Sequence, residues 1–382
     1  MKPDNKHPGA SDAQDRKSVS DFTRENATKS NAIEIPQISL PKGGGAIKGI
    51  DEKFSVNAVN GTASFAIPLP FSPARGFSPS LNLSYNSGSG NSIFGLGWNL
   101  GLSSVKRKTD KGLLRYMDAA ESDTYIFSEA EDLVPVYKKE PGGAFSKDPE
   151  GKFIIDEKTS SGNTHRIRYY RPRIEGLFAR IERWTEKSTG IIKWRMITGD
   201  NVTTLFGWTA DAVIADPSNP VRIYEWLPEF AFDDKGNCVH YHYKKEDGSG
   251  FDTLFLHNKN RLSGADITYT NTYLEKVLYG NKTPYRQFGD SVPAETDYLF
   301  STVFNYGEYD VAEPFNKIKD WDFRPDAFSN YKAGFEIRTT RLCKSVLLFH
   351  HFTGPGEYDG LVRSLNFEYD TATGEDFTFL RR

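Results

Sequence analysis

Short runs of alternating apolar and polar residues, separated by turn-forming clusters, fill the chain from about residue 39 onward. Ala63-Ser-Phe-Ala-Ile67 and Leu81-Asn-Leu-Ser-Tyr85 alternate with period two, which predicts strands with one buried face. The same pattern predicts strands over 166–170, 179–184, 192–196, 221–226 and 239–243. Asn86-Ser-Gly-Ser-Gly-Asn91 reads as a glycine-rich turn, and Pro68 and Pro70 end the strand before them or confine it to an edge. No segment longer than about ten residues keeps a helical period, so helix is expected only as short pieces around 210–215 and 327–331. The fold class is all-β, a large antiparallel sheet assembly.

Two stretches depart from the pattern. Residues 1–38 are polar and charged, with too little apolar surface to offset the entropy of ordering, and are expected to be a disordered arm. Phe377-Thr-Phe-Leu-Arg-Arg382 reads as a strand in progress, so Arg382 is expected to be a truncation point of a domain spanning 39–382. Several later strands end on tyrosine plus a turn residue, as at Tyr279-Gly280, Tyr306-Gly307 and Tyr369-Asp370, but their spacing is too irregular for a regular solenoid.

Composition supports strands and narrows the partners. Aromatic residues make up 14% of the 382 residues, and they favour pleated, half-buried surfaces. A net charge of −3 provides no field to attract nucleic acid or an anionic membrane. Nothing approaches the ~20 apolar residues of a membrane-spanning helix, and Met1-Lys-Pro-Asp-Asn-Lys-His-Pro8 lacks the apolar centre of a secretory signal. Synthesis in a reducing, cytosolic compartment is expected, with any export by another route. Cys238 and Cys343 are too few for a disulfide framework and are expected to be buried free thiols.

Candidate chemistry is sparse. His240 and His242 share a strand face with Cys238 and could seat a metal only with a third ligand from elsewhere; two half-polar positions of a hairpin explain them as well. His350 and His351 are adjacent, face opposite ways on a strand and cannot chelate together; a packed histidine with a satisfied ring nitrogen is expected there. Gly43-Gly44-Gly45 lacks the Lys-Ser/Thr of a phosphate loop and reads as turn geometry. Asp233-Asp234 before Lys235-Gly236 is a turn signature. Trp184, Trp194 and Trp226 would make a sugar-binding face if exposed, and sheet core if buried. Lys106-Arg-Lys108 with Lys111, flanked by Asp110, reads as a solvated loop. No catalytic, cofactor-binding or metal-ligating residue is assigned.

The most informative motifs are Pro41-Lys-Gly-Gly-Gly-Ala-Ile-Lys-Gly-Ile-Asp-Glu-Lys-Phe54, Phe77-Ser-Pro-Ser-Leu-Asn-Leu-Ser-Tyr85 and Ile93-Phe-Gly-Leu-Gly-Trp98. They are followed by Arg107-Lys-Thr-Asp-Lys-Gly112, Glu121-Ser-Asp-Thr-Tyr125, Glu131-Asp-Leu-Val-Pro135, Arg168-Tyr-Tyr-Arg-Pro-Arg173 and Arg341-Leu-Cys343. Taken together this order resembles the N-terminal domain of the SpvB/TcB family, named for a Salmonella plasmid virulence protein and for the B components of insecticidal toxin complexes. Asp51 stands where a glycine is expected in the family.

The resemblance implies a non-catalytic wall domain of a β-shell that encloses a toxic C-terminal cargo. The implied partners are an Rhs-repeat-containing toxin complex C component and, through later regions of the chain, a pore-forming A component. It implies a secreted protein with neither nucleic-acid binding nor direct membrane insertion. Two alternatives stand beside it, the accessory half of an ADP-ribosylating virulence toxin and a carbohydrate- or cell-surface-binding module. For the transferase, Glu129-Ala-Glu131, Arg75 and Ser87-Gly-Ser89 are the matching pieces, but the threonine between the serines is missing.

Overall fold

Alternation of side chains across a pleat forces a two-sided sheet to choose what each face buries, and here both faces are covered over much of its width. The computed structural model describes residues 61–128, 131–176, 178–252, 269–310, 316–370 and 377–382, with the pieces 29–30 and 55–56 and Asn258. The predicted arm 1–38 lies outside the described residues except for Lys29–Ser30, which pair in parallel with Phe77–Ser78. Gly43 to Gly45 and Asp51 also lie outside them.

The chain is all-β as expected, with single 3-10 turns at Asp118–Ala120, Ala210–Ala212 and Glu295–Asp297. The predicted strands appear as Ala63–Pro68, Asn82–Asn86, His165–Pro172, Arg180–Glu186, Ile192–Ile197, Asn219–Trp226 and Cys238–Lys245. Pro68 ends its strand, since it has no N–H to give to a ladder. The two helix expectations fail. Residues 328–330 form a strand paired with Ile337–Thr339, and 210–215 is one 3-10 turn that runs into the strand Val213–Asp216. Alanines at these places raised the local helix preference, and pairing with a neighbouring strand overrode it. The strand expected over 377–382 contracts to Phe379–Leu380, paired with Tyr369–Asp370.

One antiparallel sheet of sixteen strands dominates. Its C-terminal half is a simple meander of Pro228–Phe232, Cys238–Lys245, Thr272–Asn281, Tyr298–Asn305, Ser345–His351 and Asp359–Asn366. Its N-terminal half curls. The hairpin Val213–Asp216/Asn219–Trp226 lies in sequence between Thr203–Phe206 and Pro228–Phe232, yet those two pair with each other. The hairpin instead adds to Val105–Arg107, at the far end of the sheet. The sheet closes around its own face as a result, and the Trp226 indole N–H donates to the Ile192 carbonyl at 2.7 Å. Inside the curl, Tyr125, Trp194 and Trp226 meet edge to face with ring centroids 4.9–6.0 Å apart, the geometry aromatic quadrupoles prefer.

A second core forms where a small sheet, Ser55–Val56, Ala63–Pro68, Asn82–Asn86 and Trp98–Leu100, covers the C-terminal meander. The glycines of the Ile93–Trp98 motif serve this packing. Gly97 (φ +82°) leaves no room for a Cβ, which would sit 2.5 Å from the Tyr85 ring. Gly95 (φ +86°) would bring one within 2.7 Å of the Thr378 carbonyl, and the Leu96 N–H donates to that same carbonyl at 2.9 Å.

Candidate functional site

Three groupings of polar side chains could carry chemistry: buried arginine hubs, the histidine strands and a polar cleft. Arg107 ends the strand Val105–Arg107 and is fully buried. Its Nη1 donates to Asp118 at 2.6 Å and to Asp123 at 2.9 Å, and its Nε to the Ile223 carbonyl at 2.7 Å. Beside it, buried Arg183 donates to Glu121 at 2.6 Å, and the Tyr170 hydroxyl reaches the same carboxylate. Burial opposes ionisation of Asp118, yet hydrogen bonds from Arg107 and Tyr125 hold its carboxyl below the usual range. The 3-10 turn Asp118–Ala120 and Glu121, which adopts φ +51°, bring these acids over the open end of the curl.

The reading of Lys106-Arg-Lys108 as a solvated loop is therefore wrong. Arg107 points into the curl, Lys108 pairs with Asp132 at 2.7 Å, and Lys106 lies 3.5 Å from Glu225. Apart from Asp110, 3.3 Å from Lys108, the counter-charges come from elsewhere in the chain, so local charge counting missed them. The tryptophan face is likewise unavailable to a sugar, because Trp194 and Trp226 are fully buried and Trp184 is 9% exposed.

Two further hubs tie loops to the meander. Arg341 donates through Nε to Glu246 at 2.9 Å and through Nη1 to the Ser249 carbonyl at 2.8 Å, with Trp321 beneath its guanidinium at 4.3 Å. Arg324 joins Asp326, whose carboxylate also takes the Thr378 N–H at 2.7 Å.

The histidines are placed as their spacing predicted. His240 and His242 share the outer face of Cys238–Lys245, with ring centroids 3.9 Å apart. Glu295 lies 4.0 Å from His242 Nδ1 but is already held by Lys276 at 2.9 Å, and Cys238 Sγ faces the Tyr298 hydroxyl at 3.6 Å. No group of three His, Cys, Asp or Glu side chains among the described residues could hold a metal ion. Burial drives His240 down to about 3 and raises Cys238 to about 12, so both stay uncharged at neutral pH. Both cysteines are free and buried.

His350 and His351 face opposite ways, and each is bonded. His350 Nε2 meets Ser72 Oγ at 2.8 Å. His351 Nε2 meets Ser301 Oγ at 2.8 Å, and its Nδ1 meets Asp359 Oδ1 at 3.1 Å, in a groove of about 420 Å³. Sequence reasoning missed this chain because its members come from three neighbouring strands of the sheet. The order matches a Ser-His-Asp relay, but acyl transfer also needs free N–H donors where the oxyanion forms. Ser301 sits in mid-strand, laddered to Leu278 on one side and Phe349 on the other, where N–H groups serve the sheet. Asp359 is 58% exposed, so water competes for His351. Incubation with a fluorophosphonate is expected to leave Ser301 unmodified in intact-mass and peptide spectra; a stoichiometric adduct there would show a working nucleophile.

The pieces of a transferase site are not brought together. Arg75 donates to the Asn281 carbonyl, Ser87 Oγ accepts the Ala63 N–H at 3.0 Å, and Glu131 pairs with Phe127 in the curled half. Glu129 lies outside the described residues. Asp233 forms the expected turn, accepting the N–H groups of Lys235 and Asn237, each at 2.9 Å.

A cleft of about 1000 Å³ lies between the small sheet and the large one, lined mainly by serine, asparagine, threonine and tyrosine. Apart from the glycine-rich turn Asn86–Asn91 on its rim, nothing in the sequence marks it, since its walls come from six separated stretches of chain.

Comparisons with known proteins fit this architecture. Residues 57–352 match the family described as SpvB, Salmonella virulence plasmid 65kDa B protein. The mono(ADP-ribosyl)transferase SpvB of Salmonella choleraesuis (strain SC-B67) is 37% identical over 340 residues, covering 87% of this chain and 54% of that protein. SpvB of Salmonella typhimurium is likewise 37% identical, over 339 residues. The chain thus spans about half the length of the curated relatives it matches.

Among solved structures, the N-terminal domain of effector protein SpvB from Salmonella typhimurium strain LT2 superposes with a TM-score of 0.69 at 34% identity, covering 83% of this chain and 96% of that domain. TcdB2-TccC3 superposes with a TM-score of 0.71 at 34% identity, over 91% of this chain and 16% of that one. The Photorhabdus luminescens Tc holotoxin pore gives 0.72 at 33% identity, over 92% and 16%. The same extended sheet thus recurs in a virulence effector and in toxin complexes, and this chain belongs to the SpvB family.

Proposed function

We propose that this chain is a non-catalytic wall domain, acting as one unit over 39–382, that forms part of a β-shell around a toxic cargo and helps deliver it. The observation that carries this reading is a sheet of sixteen strands left open at its C-terminal edge. The outermost strand of the C-terminal half, Asp359–Asn366, ladders only to Ser345–His351 and has five of its eight residues exposed. An unpaired edge of this length is a template for another strand, and a domain meant to stand alone would blunt or cover it. The recurrence of the sheet in TcdB2-TccC3 and in a holotoxin pore supports partners of those classes, an Rhs-repeat-containing C component and, through later regions, a pore-forming A component. Buried arginines held by carboxylates suit a rigid wall, not a moving active site.

Light scattering tests this. The isolated chain is expected to self-associate at micromolar concentration through its open edge, and a lysine at Leu361 or Leu365, on the edge strand, should reduce that association. A monodisperse monomer would overturn the open-wall reading. Secretion or translocation is in keeping with the same role, as for the effector and toxin-complex relatives.

A second reading rests on the names of the curated relatives, which are mono(ADP-ribosyl)transferases about twice as long as the matched region. In that reading the chain is the accessory half of such a toxin and activity would reside in a segment not matched here. The scattered placement of Arg75, Ser87 and Glu131 favours no transfer by these residues.

A further inference from the structure

We propose that the polar cleft between the two sheets is a binding site for a neutral oligosaccharide. It encloses about 1000 Å³, at the upper end of the roughly 300–1,000 Å³ usual for small-molecule sites, and lies at a seam between packed units where such sites concentrate. Ser89, Asn99, Ser103 and Asn330 bring hydroxyl and amide groups to its wall, and these side chains bond no other described residue. Asn99 is exposed and the other three are half-buried, so these groups are free to meet water or a ligand.

Ser128 adds an independent sign. It lines the cleft in the left-handed region at φ +47°, and its Oγ is buried with no partner among the described residues. A non-glycine residue held in that conformation is strained and persists where the surroundings demand it.

Charge selects the ligand class. Glu225 is answered within the cleft by Lys106 at 3.5 Å and by the Ser104 hydroxyl at 2.6 Å, which leaves Lys332 to contribute the unpaired charge among the described lining residues. A phosphorylated or sulfated ligand would need several cations. Amides and hydroxyls set beside apolar surface from Ile93 and Leu100 match instead the mixed hydroxyl and C–H faces of a sugar. The site is separate from the open sheet edge, so its failure would leave the wall reading intact.

The test uses the whole 382-residue protein with maltotriose, cellotriose and triacetylchitotriose as probes, read by saturation-transfer NMR and titration calorimetry. At least one probe is expected to bind, and Asn99→Ala/Asn330→Ala to weaken it about tenfold without changing the melting temperature. Ser89→Trp, on an external turn, adds bulk to the wall and should abolish binding independently. No transfer to any of the three probes, binding indifferent to both variants, or preference for a heparin tetrasaccharide would each overturn the proposal.

Discussion

Arg341→Ala is expected to destabilise the protein by about 3–5 kcal/mol, the range for leaving one member of a buried ion pair without its partner. Arg341 is fully buried and Glu246 is 2% exposed at the side chain. Glu246 also accepts the N–H groups of Asp247 at 3.1 Å and Gly248 at 2.9 Å and the Thr340 hydroxyl, so the carboxylate is fixed by its loop and cannot swing out to water. Removing the guanidinium therefore strands a charge, breaks the bonds to the Ser249 and Trp321 carbonyls, and opens a void over the Trp321 ring. Domains have only about 5–15 kcal/mol to lose, so the urea midpoint should fall by a large fraction. The double variant Arg341→Met/Glu246→Leu separates charge from packing, because replacing both ions by apolar groups of similar volume is often close to neutral. It should recover most of the loss. Equal midpoints for single and double variants would mean that lost packing, and not an orphaned carboxylate, sets the cost.

This hub also explains what the sequence motifs encode. Arg107, Glu121, Asp123, Tyr125, Arg168 and Tyr170 fall in the motifs that carry the family resemblance, and all join one buried network. Arg341 opens another of those motifs. In a linear reading they carried only a family resemblance, with no role for their charges. In the folded chain they neutralise one another inside a curled sheet, at positions where the desolvation of each charge is offset only by its partners.

The strands were legible because period-two alternation is local, and Ala63–Pro68 or Ile192–Ile197 needs nothing distant to be recognised. The curl was not. Whether Asn219–Trp226 pairs with its sequence neighbours or with Val105–Arg107 depends on a contact across more than a hundred residues, for which periodicity has no signal. The same limit hid the Ser301–His351–Asp359 chain and the cleft. The tryptophans were ambiguous for another reason. Alternation shows that Trp184 and Trp194 sit on a sheet, but only the curl decides that the Trp194 face is enclosed, and only the packing of Trp208 and Phe288 covers Trp184.

Acidification is expected to weaken the fold well above the pH at which carboxylates titrate. Burial, with a smaller push from His242, lowers His240 from 6.5 to about 3. The folded state therefore holds the ring neutral while the unfolded chain begins to bind a proton below about 6.5. Because the folded value is the lower one, the stabilisation is complete above 6.5 and is lost as the pH falls from there toward 3. Each unit in that interval is worth about 1.4 kcal/mol, so His240 alone should account for about 2 kcal/mol by pH 5. His242, His165 and His350 are pushed down in the same sense, chiefly by burial, and add to the slope. Near the pair, Glu295 and Glu275 favour protonation of His242 and Lys276 opposes it, which moderates its share. Glu229, raised by burial, works the other way, but only near the carboxylate range. Urea midpoints of wild type should thus be level from pH 8 to 7 and drop between 6.5 and 5. His240→Phe, which keeps the edge contact with Phe230 and removes the titrating group, should flatten that drop by roughly half. An unchanged slope in the variant would show that protonation of the unfolded chain at other sites governs the acid response, and that the paired imidazoles are a packing feature without linkage to pH.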